Sequence, residues 1–259
     1  MLDIINQFNP GPHQSVVLDH LSNNRFSIIM NSEETDIIST YALFLIDYVL
    51  TNTDKTIVVC SNKAINGKAV KEKMFEYYNI IEPNIDVKLS VYNTRLFAFT
   101  NGCNVKFYAT HKNTAIGFDV DCFIIMDMAH TLPSEVKELY IAMYPTLTCK
   151  QNTRMIINSS PNGTNLFYDL FTNSELPAEE PNKNDFVPLR LYYWQAPGRD
   201  GKWVQDKIKE VGADMFNERY NLIARTSSRG VFNIPGPDEL TAAGVTGYTV
   251  TFHIKEHEK

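Results

Sequence analysis

The chain has 259 residues, of which 44% are hydrophobic and 21% are charged, and its formal net charge at pH 7 is -6. This length and apolar fraction suit one large α/β domain, or one domain with an appendage. The acidic balance excludes a general nucleic-acid coat protein, which would be basic, so any contact with DNA must be local. No apolar run approaches the roughly 18 residues of a membrane span, and the first residues lack a basic signal region, so no membrane partner is expected.

The cysteines show no paired spacing and stand at Cys60, Cys103, Cys122 and Cys149. Three of them lie in apolar, strand-like surroundings. The pattern predicts buried, reduced thiols rather than disulfides or a metal site.

The first elements in chain order are a loop, a helix, a strand and a second helix. Residues 14–21 are typical of a short helix, and residues 26–30 form an apolar run that predicts a strand. The segment 31–36 is polar, and an amphipathic helix is predicted to follow it. Its apolar side carries Ile37, Ile38, Tyr41, Leu45 and Tyr48.

The polar turn 31–36 has the position of a phosphate-binding loop, which lies between a strand and a helix N-terminus. Its sequence, Asn-Ser-Glu-Glu-Thr-Asp, has no Gly, no Lys and three carboxylates. Acids in a first helical turn suit the helix dipole, and Asn31 or Ser32 is suited to cap the helix. The turn therefore predicts a self-capped helix start, whose own anions replace a bound phosphate.

Strands and helices alternate along the next part of the chain. Strands are predicted at 55–60, 87–91, 95–100, 104–109, 121–127, 153–159 and 186–194, and helices at 65–78, 133–143, 164–171, 201–211 and 213–224. Asn101-Gly102 is a hairpin turn signal. The alternation predicts a mostly parallel α/β sheet flanked by helices, with ligands at the carboxyl ends of its strands.

The composition divides the chain into three parts. Residues 1–172 form the predicted core, and an acidic, Pro-bearing loop at 174–185 opens a small subdomain at 173–235. Residues 236–259 form a C-terminal tail with a short strand pattern at 248–254.

Several motifs match one family in order and spacing over roughly residues 13–235. Residues 33–38 stand where the family has a loop of R-Q-x-G-K-[ST] type. Residues 124–128 match its Walker B strand, and 158–163, followed by the aromatic pair 167–168, match its T-T-P-N-G coupling motif. The chain resembles the ATPase domain of the large terminase subunit, the DNA-packaging motor of tailed bacteriophages. The resemblance implies a P-loop NTPase fold of the ASCE, RecA-like type, and Gln14 as the residue that reads adenine.

The chain departs from that family at the residues that carry its chemistry. The Gly and Lys positions fall at Asp36 and Ile37, the leading Arg at Glu33, and the acid that activates water at Met128. Asp127, the Mg²⁺ acid of the family, is retained. These departures indicate a degenerate form that lacks Walker A.

The resemblance also implies a nuclease domain after the ATPase domain. The strand pattern at 248–254 is interpreted as a remnant of its first strand, after which the chain stops.

Each vestigial residue has a structural interpretation beside the functional one. Asp127 either binds Mg²⁺ or caps the following turn, and the second is favoured. Gln14 bonds either adenine or backbone. Met128 and His130 are interpreted as packing and loop residues. The coupling-motif residues Ser159, Ser160 and Asn162 are expected to bond the vestigial loop without chemistry.

Basic residues accompany aromatic ones in the small subdomain. They are Arg190, Arg219, Arg225 and Arg229. They are candidate contacts for DNA phosphates, with the aromatic side chains stacking on bases. They are equally consistent with the ordinary rim of a small subdomain.

The preferred hypothesis is a catalytically inactive terminase-like protein that binds protein or DNA in phage DNA packaging or another phage DNA transaction. The expected partners are terminase, portal or double-stranded DNA in the host cytoplasm, and no cofactor is expected. The alternative is an active motor subunit with an atypical loop, completed by a partner's Lys or Arg, which would use ATP and Mg²⁺. A structural scaffold that reuses the fold is the third hypothesis.

Overall fold

The structure, a computed structural model, describes residues 6–62, 64–114, 117 and 119–225. Arg229, the strand pattern at 248–254 and the tail at 236–259 lie outside the described residues. The strands are β1 (Phe26–Asn31), β2 (Thr56–Ser61), β3 (Leu89–Tyr92), β4 (Leu96–Phe99), β5 (Asn104–Ala109), β6 (Cys122–Met126), β7 (Arg154–Ser159) and β8 (Val187–Leu191). The helices are α1 (Pro12–Asn23), α2 (Ile37–Thr51), α3 (Ala64–Ile81), α4 (Pro133–Thr148), α5 (Leu166–Ser174), α6 (Gly201–Val211) and α7 (Ala213–Arg219).

All of these strands form one sheet in the order β3-β4-β5-β2-β6-β7-β1-β8. Its neighbours pair in parallel from β5 to β8, whereas β3 and β4 are antiparallel. The predicted parallel α/β sheet is confirmed. The predicted hairpin is also confirmed, because Gly102 adopts φ 82° between β4 and β5. Parallel pairing brings the carboxyl ends of β1, β6 and β7 to one edge of the sheet.

The central strands are covered on both faces, as their unbroken apolar runs predict. Every residue of β1 and of β6 is buried. Helix α2 is buried at every residue from 39 to 49. The amphipathic prediction for α2 is therefore wrong, because α1 and α3 pack against this helix and cover the side that would otherwise face water.

The thiols behave as their surroundings predict. Cys60, Cys103 and Cys122 are buried and free, and Cys149 is free and exposed. Within the part of the chain that the structure describes, no helix has the length and apolarity needed to cross a membrane.

The small subdomain packs through an aromatic cluster formed by Tyr193, Trp203, Phe216 and Tyr220. The Tyr193 and Trp203 ring centroids lie 5.4 Å apart, and those of Phe216 and Tyr220 lie 5.1 Å apart. The cluster joins α6 and α7 to the turn after β8. Predicted helix 213–224 is shorter than expected, since α7 ends at Arg219.

Candidate functional site

A polar cavity of about 600 Å³ opens at the carboxyl edge of the sheet, where β1, β6 and β7 end. It lies over the β1–α2 turn, the segment predicted to hold a vestigial phosphate loop. Its lining residues are Asn31, Ser32, Glu33, Glu34, Thr35, Asp36, Ile37, Ile38, Asn62, Asn66, Asp127, His130, Ser160 and Arg219.

The backbone of the turn has a shape that glycine adopts easily. Glu34 has φ 59° and Asp36 has φ 52°, both in the left-handed region. Such angles cost other L-residues about 1 kcal/mol or more. Asp36 stands at the position aligned with the glycine of the family's loop. The turn therefore retains a glycine-like backbone conformation without having the glycine.

The acids of the turn do not cap α2. The helix begins at Ile37, its first turn holds no acid, and Asp36 at the N-cap position makes no side-chain cap bond. Gln14 Nε2 instead donates to Asp36 Oδ2 at 3.1 Å, and Gln14 Oε1 accepts from Gly11 N at 2.9 Å. The self-capped interpretation is wrong because the left-handed residue at 36 delays the helix until after the acids.

Glu33 and Glu34 form ion pairs with cations of the small subdomain. Arg219 Nη1 lies 3.1 Å from Glu33 Oε1, and Lys207 Nζ lies 2.8 Å from Glu34 Oε1. The Tyr220 hydroxyl donates to Glu34 Oε1 at 3.2 Å. Burial alone would raise the pKa of Glu34, but the hydrogen bond and charge of Lys207, together with Tyr220, lower it overall.

Arg199 holds the turn from a third direction. Its Nη2 donates to the Glu34 carbonyl at 3.0 Å and lies 3.5 Å from Glu34 Oε2. The guanidinium also stacks 4.5 Å from the Trp203 ring centroid. We call Glu33 and Glu34, together with Arg199, Lys207 and Arg219, the carboxylate clamp.

The turn does not fit a triphosphate. The amides of Ser32 and Glu33, which a phosphate would need, donate to Leu191 O at 2.8 Å and Arg219 O at 3.1 Å. Ile37 stands in place of the lysine, and the nearby carboxylates would repel the ligand. One such like-charge pair at about 4 Å costs about 4 kcal/mol at an intermediate dielectric.

Asp127 lies at the end of β6 with φ 55° and lines the cavity. Its carboxylate makes no cap bond to the following turn and accepts a hydrogen bond from Asn66 Nδ2 at 2.5 Å. The capping interpretation of Asp127 is therefore wrong. Among the described residues, no three His, Cys, Asp or Glu side chains come together as a metal site.

The serines of the coupling motif bond the segment after β6 and not the 31–36 turn. Ser159 Oγ accepts from Ala129 N at 3.1 Å, and Ser160 Oγ lies 2.9 Å from His130 Nε2. The bond to the β1 end is made by Asn158, whose Nδ2 donates to Asn31 Oδ1 at 2.9 Å. The expectation was thus wrong in its residues, because Ser159 and Ser160 come after β7 has passed the end of β1.

Three further predicted residues lie beside the same segment. Asn162 Nδ2 donates to Ala129 O at 3.1 Å. Met128 is buried within the core on the α4 side of the sheet. His130 lines the cavity, which its interpretation as a packing residue did not foresee, and burial lowers its pKa despite the nearby charge of Asp127.

The candidate DNA contacts that the structure describes are each paired with a carboxylate. Arg190 Nη2 lies 2.6 Å from Glu175 Oε2, and Arg225 Nε lies 3.3 Å from Glu218 Oε2. Arg219 belongs to the carboxylate clamp. These pairs reduce the positive charge that each arginine offers to a phosphate, and contact with DNA stays a prediction.

Sequence reasoning did not identify Arg199, Lys207 or Tyr220 as partners of the turn. Arg199 bonds a residue that is 165 positions away in the chain. Only the fold brings such distant residues together, and no local spacing signals the pairing.

Solved structures share this architecture, although no family profile matches the sequence. The ATPase domain of the large terminase of Thermus phage P74-26 superposes with a TM-score of 0.67 at 15% identity, over 84% of this chain and 94% of that one. The HK97 bacteriophage large terminase gives 0.62 at 12% identity, over 82% and 50%. A large terminase from a thermophilic bacteriophage gives 0.58 at 10% identity, over 81% and 52%.

The chain has the fold of a phage large-terminase ATPase domain. It spans nearly all of the P74-26 domain and about half the length of the other two terminases. At these identities the likeness establishes the terminase-like fold alone. The function must be argued from the residues in the cavity.

Proposed function

We propose that this chain is a terminase ATPase-like protein that does not hydrolyse ATP. It acts by binding protein or DNA in phage DNA packaging or another phage DNA transaction. The observation that carries the proposal is the carboxylate clamp, which places two glutamates and their cation partners on the turn where a phosphate loop would hold ATP.

The chemistry of phosphoryl transfer supports this choice. Its transition state needs a Lys, a metal and backbone donors around the charged oxygens, and a group that orients the attacking water. Here Ile37 replaces the Lys, Met128 replaces the water-orienting acid, and the amides of Ser32 and Glu33 already have acceptors. Without those groups, the retained Asp127 has no transition state to stabilise.

One observation favours the alternative, an active motor subunit with an atypical loop. The cavity of about 600 Å³ still contains Asp127, the family's Mg²⁺ acid. A Lys or Arg from a partner subunit would then have to enter the cavity and displace the cations that hold Glu33 and Glu34.

Phosphate release tests the proposal directly. The purified protein is incubated with ATP and Mg²⁺, with and without double-stranded DNA, and Asp127→Ala is the matched control. We expect no difference between the two proteins. Turnover of about 1 per second, the low end for working enzymes, that is lost in Asp127→Ala would overturn the proposal.

Calorimetry with ATP and Mg²⁺ tests the same site without turnover. We expect no affinity tighter than about millimolar, equivalent to about 4 kcal/mol. A micromolar constant would show that the carboxylate clamp opens for nucleotide. Pull-down with portal, terminase and double-stranded DNA then identifies which binding role the chain performs.

A further inference from the structure

A second cavity, of about 830 Å³, opens beside the first at the same edge of the sheet. Helix α3 separates the two, since Asn66 lines the first and Gly67 lines the second. The second cavity lies between α3, the β3–β4 turn and the end of β5. Its lining residues are Gly67, Lys68, Lys71, Glu72, Tyr92, Asn93, Thr94, Arg95, Phe107, Tyr108 and Ala109.

Lys71 is a buried cation on the wall of this cavity. The residue is 8% exposed, and its Nζ donates to Asn93 O at 2.6 Å. The ammonium lies 4.6 Å from the Tyr92 ring centroid and 5.8 Å from that of Phe97. In the described part of the chain, no carboxylate oxygen lies within 4.0 Å of this ammonium.

A buried charge is normally paired with an opposite charge, because the carbonyl and ring faces around it stabilise but do not neutralise it. Burial lowers the pKa of Lys71, while Glu72 opposes the shift. The Glu72 carboxylate lies 3.5 Å from Lys68 Nζ, so its nearest cation is Lys68 and not Lys71. The charged form of Lys71 would therefore gain from an anion that enters the cavity.

Arg95 adds a second cation at the mouth of the cavity. It is exposed, and no carboxylate among the described residues lies within ion-pair distance of its guanidinium. This distinguishes it from Arg190, Arg219 and Arg225, each of which has a carboxylate partner. The other charged lining residues, Lys68 and Glu72, largely offset each other.

We propose that this second cavity binds a phosphate group carried by a nucleotide or by a nucleic-acid strand. Lys71 and Arg95 contact the phosphate oxygens, Lys71 as a point charge and Arg95 through its planar fork. The aromatic wall at Phe107 and Tyr92 packs against the attached sugar and base. This site is separate from the phosphate-loop turn, so it does not depend on whether ATP binds there.

Two probes distinguish the sources of the phosphate: AMP and a short single-stranded oligothymidylate. Their affinities are measured by calorimetry and fluorescence anisotropy at low and moderate salt. Competition by AMP for the oligonucleotide identifies a free-nucleotide site. Binding of the oligonucleotide alone, weakening with salt, identifies a strand-backbone site. Absence of binding by both probes would overturn the proposal.

Variants locate the binding in the cavity. Lys71→Met, which keeps the apolar stem, and Arg95→Gln are each expected to weaken binding about tenfold, equivalent to about 1.4 kcal/mol. Lys209→Met, at an exposed lysine of α6, is the control and should bind like the parent. Unchanged affinity in both Lys71→Met and Arg95→Gln would refute the site. Because Arg95 is exposed, its variant keeps the test valid if Lys71→Met fails to fold.

Discussion

Glu34 is the residue at which the acidic turn and the small subdomain meet. Its carboxylate contacts Lys207, Arg199 and Tyr220, and its carbonyl accepts from Arg199. The Lys207 side chain is only 13% exposed, so screening by water is weaker there than for most surface pairs. The pair should consequently contribute measurable stability.

Glu34→Gln tests this contribution at Lys207. Glu210 provides a matched control, because its Oε2 lies 2.7 Å from the same ammonium but its side chain is 64% exposed. We expect Glu34→Gln to lower the free energy of unfolding by about 1 kcal/mol, after allowing for its partial exposure. Glu210→Gln should change it by less than about 0.5 kcal/mol. Equal losses in urea titrations of the two variants would contradict a special role for Glu34.

Asp36 carries a second residue-scale prediction, because its φ of 52° is costly for a residue with a Cβ atom. Asp36→Gly removes that cost, while Asp36→Ala retains it, and both lose the hydrogen bond from Gln14. We expect the Gly variant to be more stable than the Ala variant by about 1 kcal/mol in urea unfolding. Equal stability would show that the turn relaxes to a different backbone conformation.

At the scale of elements, the β1–α2 turn is the segment to redesign. The changes Glu33→Arg, Asp36→Gly, Ile37→Lys and Ile38→Thr restore the family's loop on paper. Both isoleucines are only half-buried, so their loss should cost less than the roughly 2–5 kcal/mol of a fully buried Ile. The Glu34 carboxylate would still occupy the site, so we expect calorimetry to show gained ATP binding only when Glu34→Gln is added.

The same redesign has a clear failing outcome. If the five-residue variant stays folded by circular dichroism yet binds ATP no better than the parent, the turn is not a vestigial phosphate loop. Hydrolysis should remain slow even when binding is gained, because Met128 cannot orient water. Adding Met128→Glu is then expected to produce turnover.

The sequence predicts most elements because their signals are local. Apolar runs mark the central strands, and Asn101-Gly102 marks the β4–β5 hairpin. The burial of α2 was missed because its covering comes from α1 and α3, which no helical periodicity records. The turn was located correctly from its place after β1, but its partners were not, since Lys207 lies far along the chain. Contacts that depend on the global fold leave no pattern in a single sequence.

At the scale of the whole molecule, the stability should fall as the pH falls below about 6.5. Burial lowers the pKa of His13, His20 and His130 below the ordinary value of 6.5, so the folded protein favours their neutral forms. The unfolded chain takes up protons first, and stability that is complete above 6.5 is lost as the pH drops through the folded pKa values. Each proton contributes a slope of at most about 1.4 kcal/mol per pH unit.

Urea unfolding at several pH values between about 7.5 and 5 measures this slope. His20→Gln is expected to flatten it, whereas His111→Gln, at an exposed histidine, should leave it unchanged. A steeper or identical slope in His20→Gln would contradict the assignment. Glu34, whose pKa is lowered below 4.5, adds a separate loss of stability only when the pH falls below that value.

The aromatic cluster of the small subdomain also gives the molecule a built-in optical reporter. The sequence contains two tryptophans, Trp194 and Trp203, and both lie in the subdomain. Trp203 stacks with Arg199 and lies 5.9 Å from Lys207 Nζ, so its indole senses the charges around Glu34. Intrinsic fluorescence therefore follows the docking of the subdomain, while far-ultraviolet circular dichroism follows the sheet and its helices. A fluorescence transition that precedes the dichroism transition in urea would show the subdomain undocking before the core unfolds.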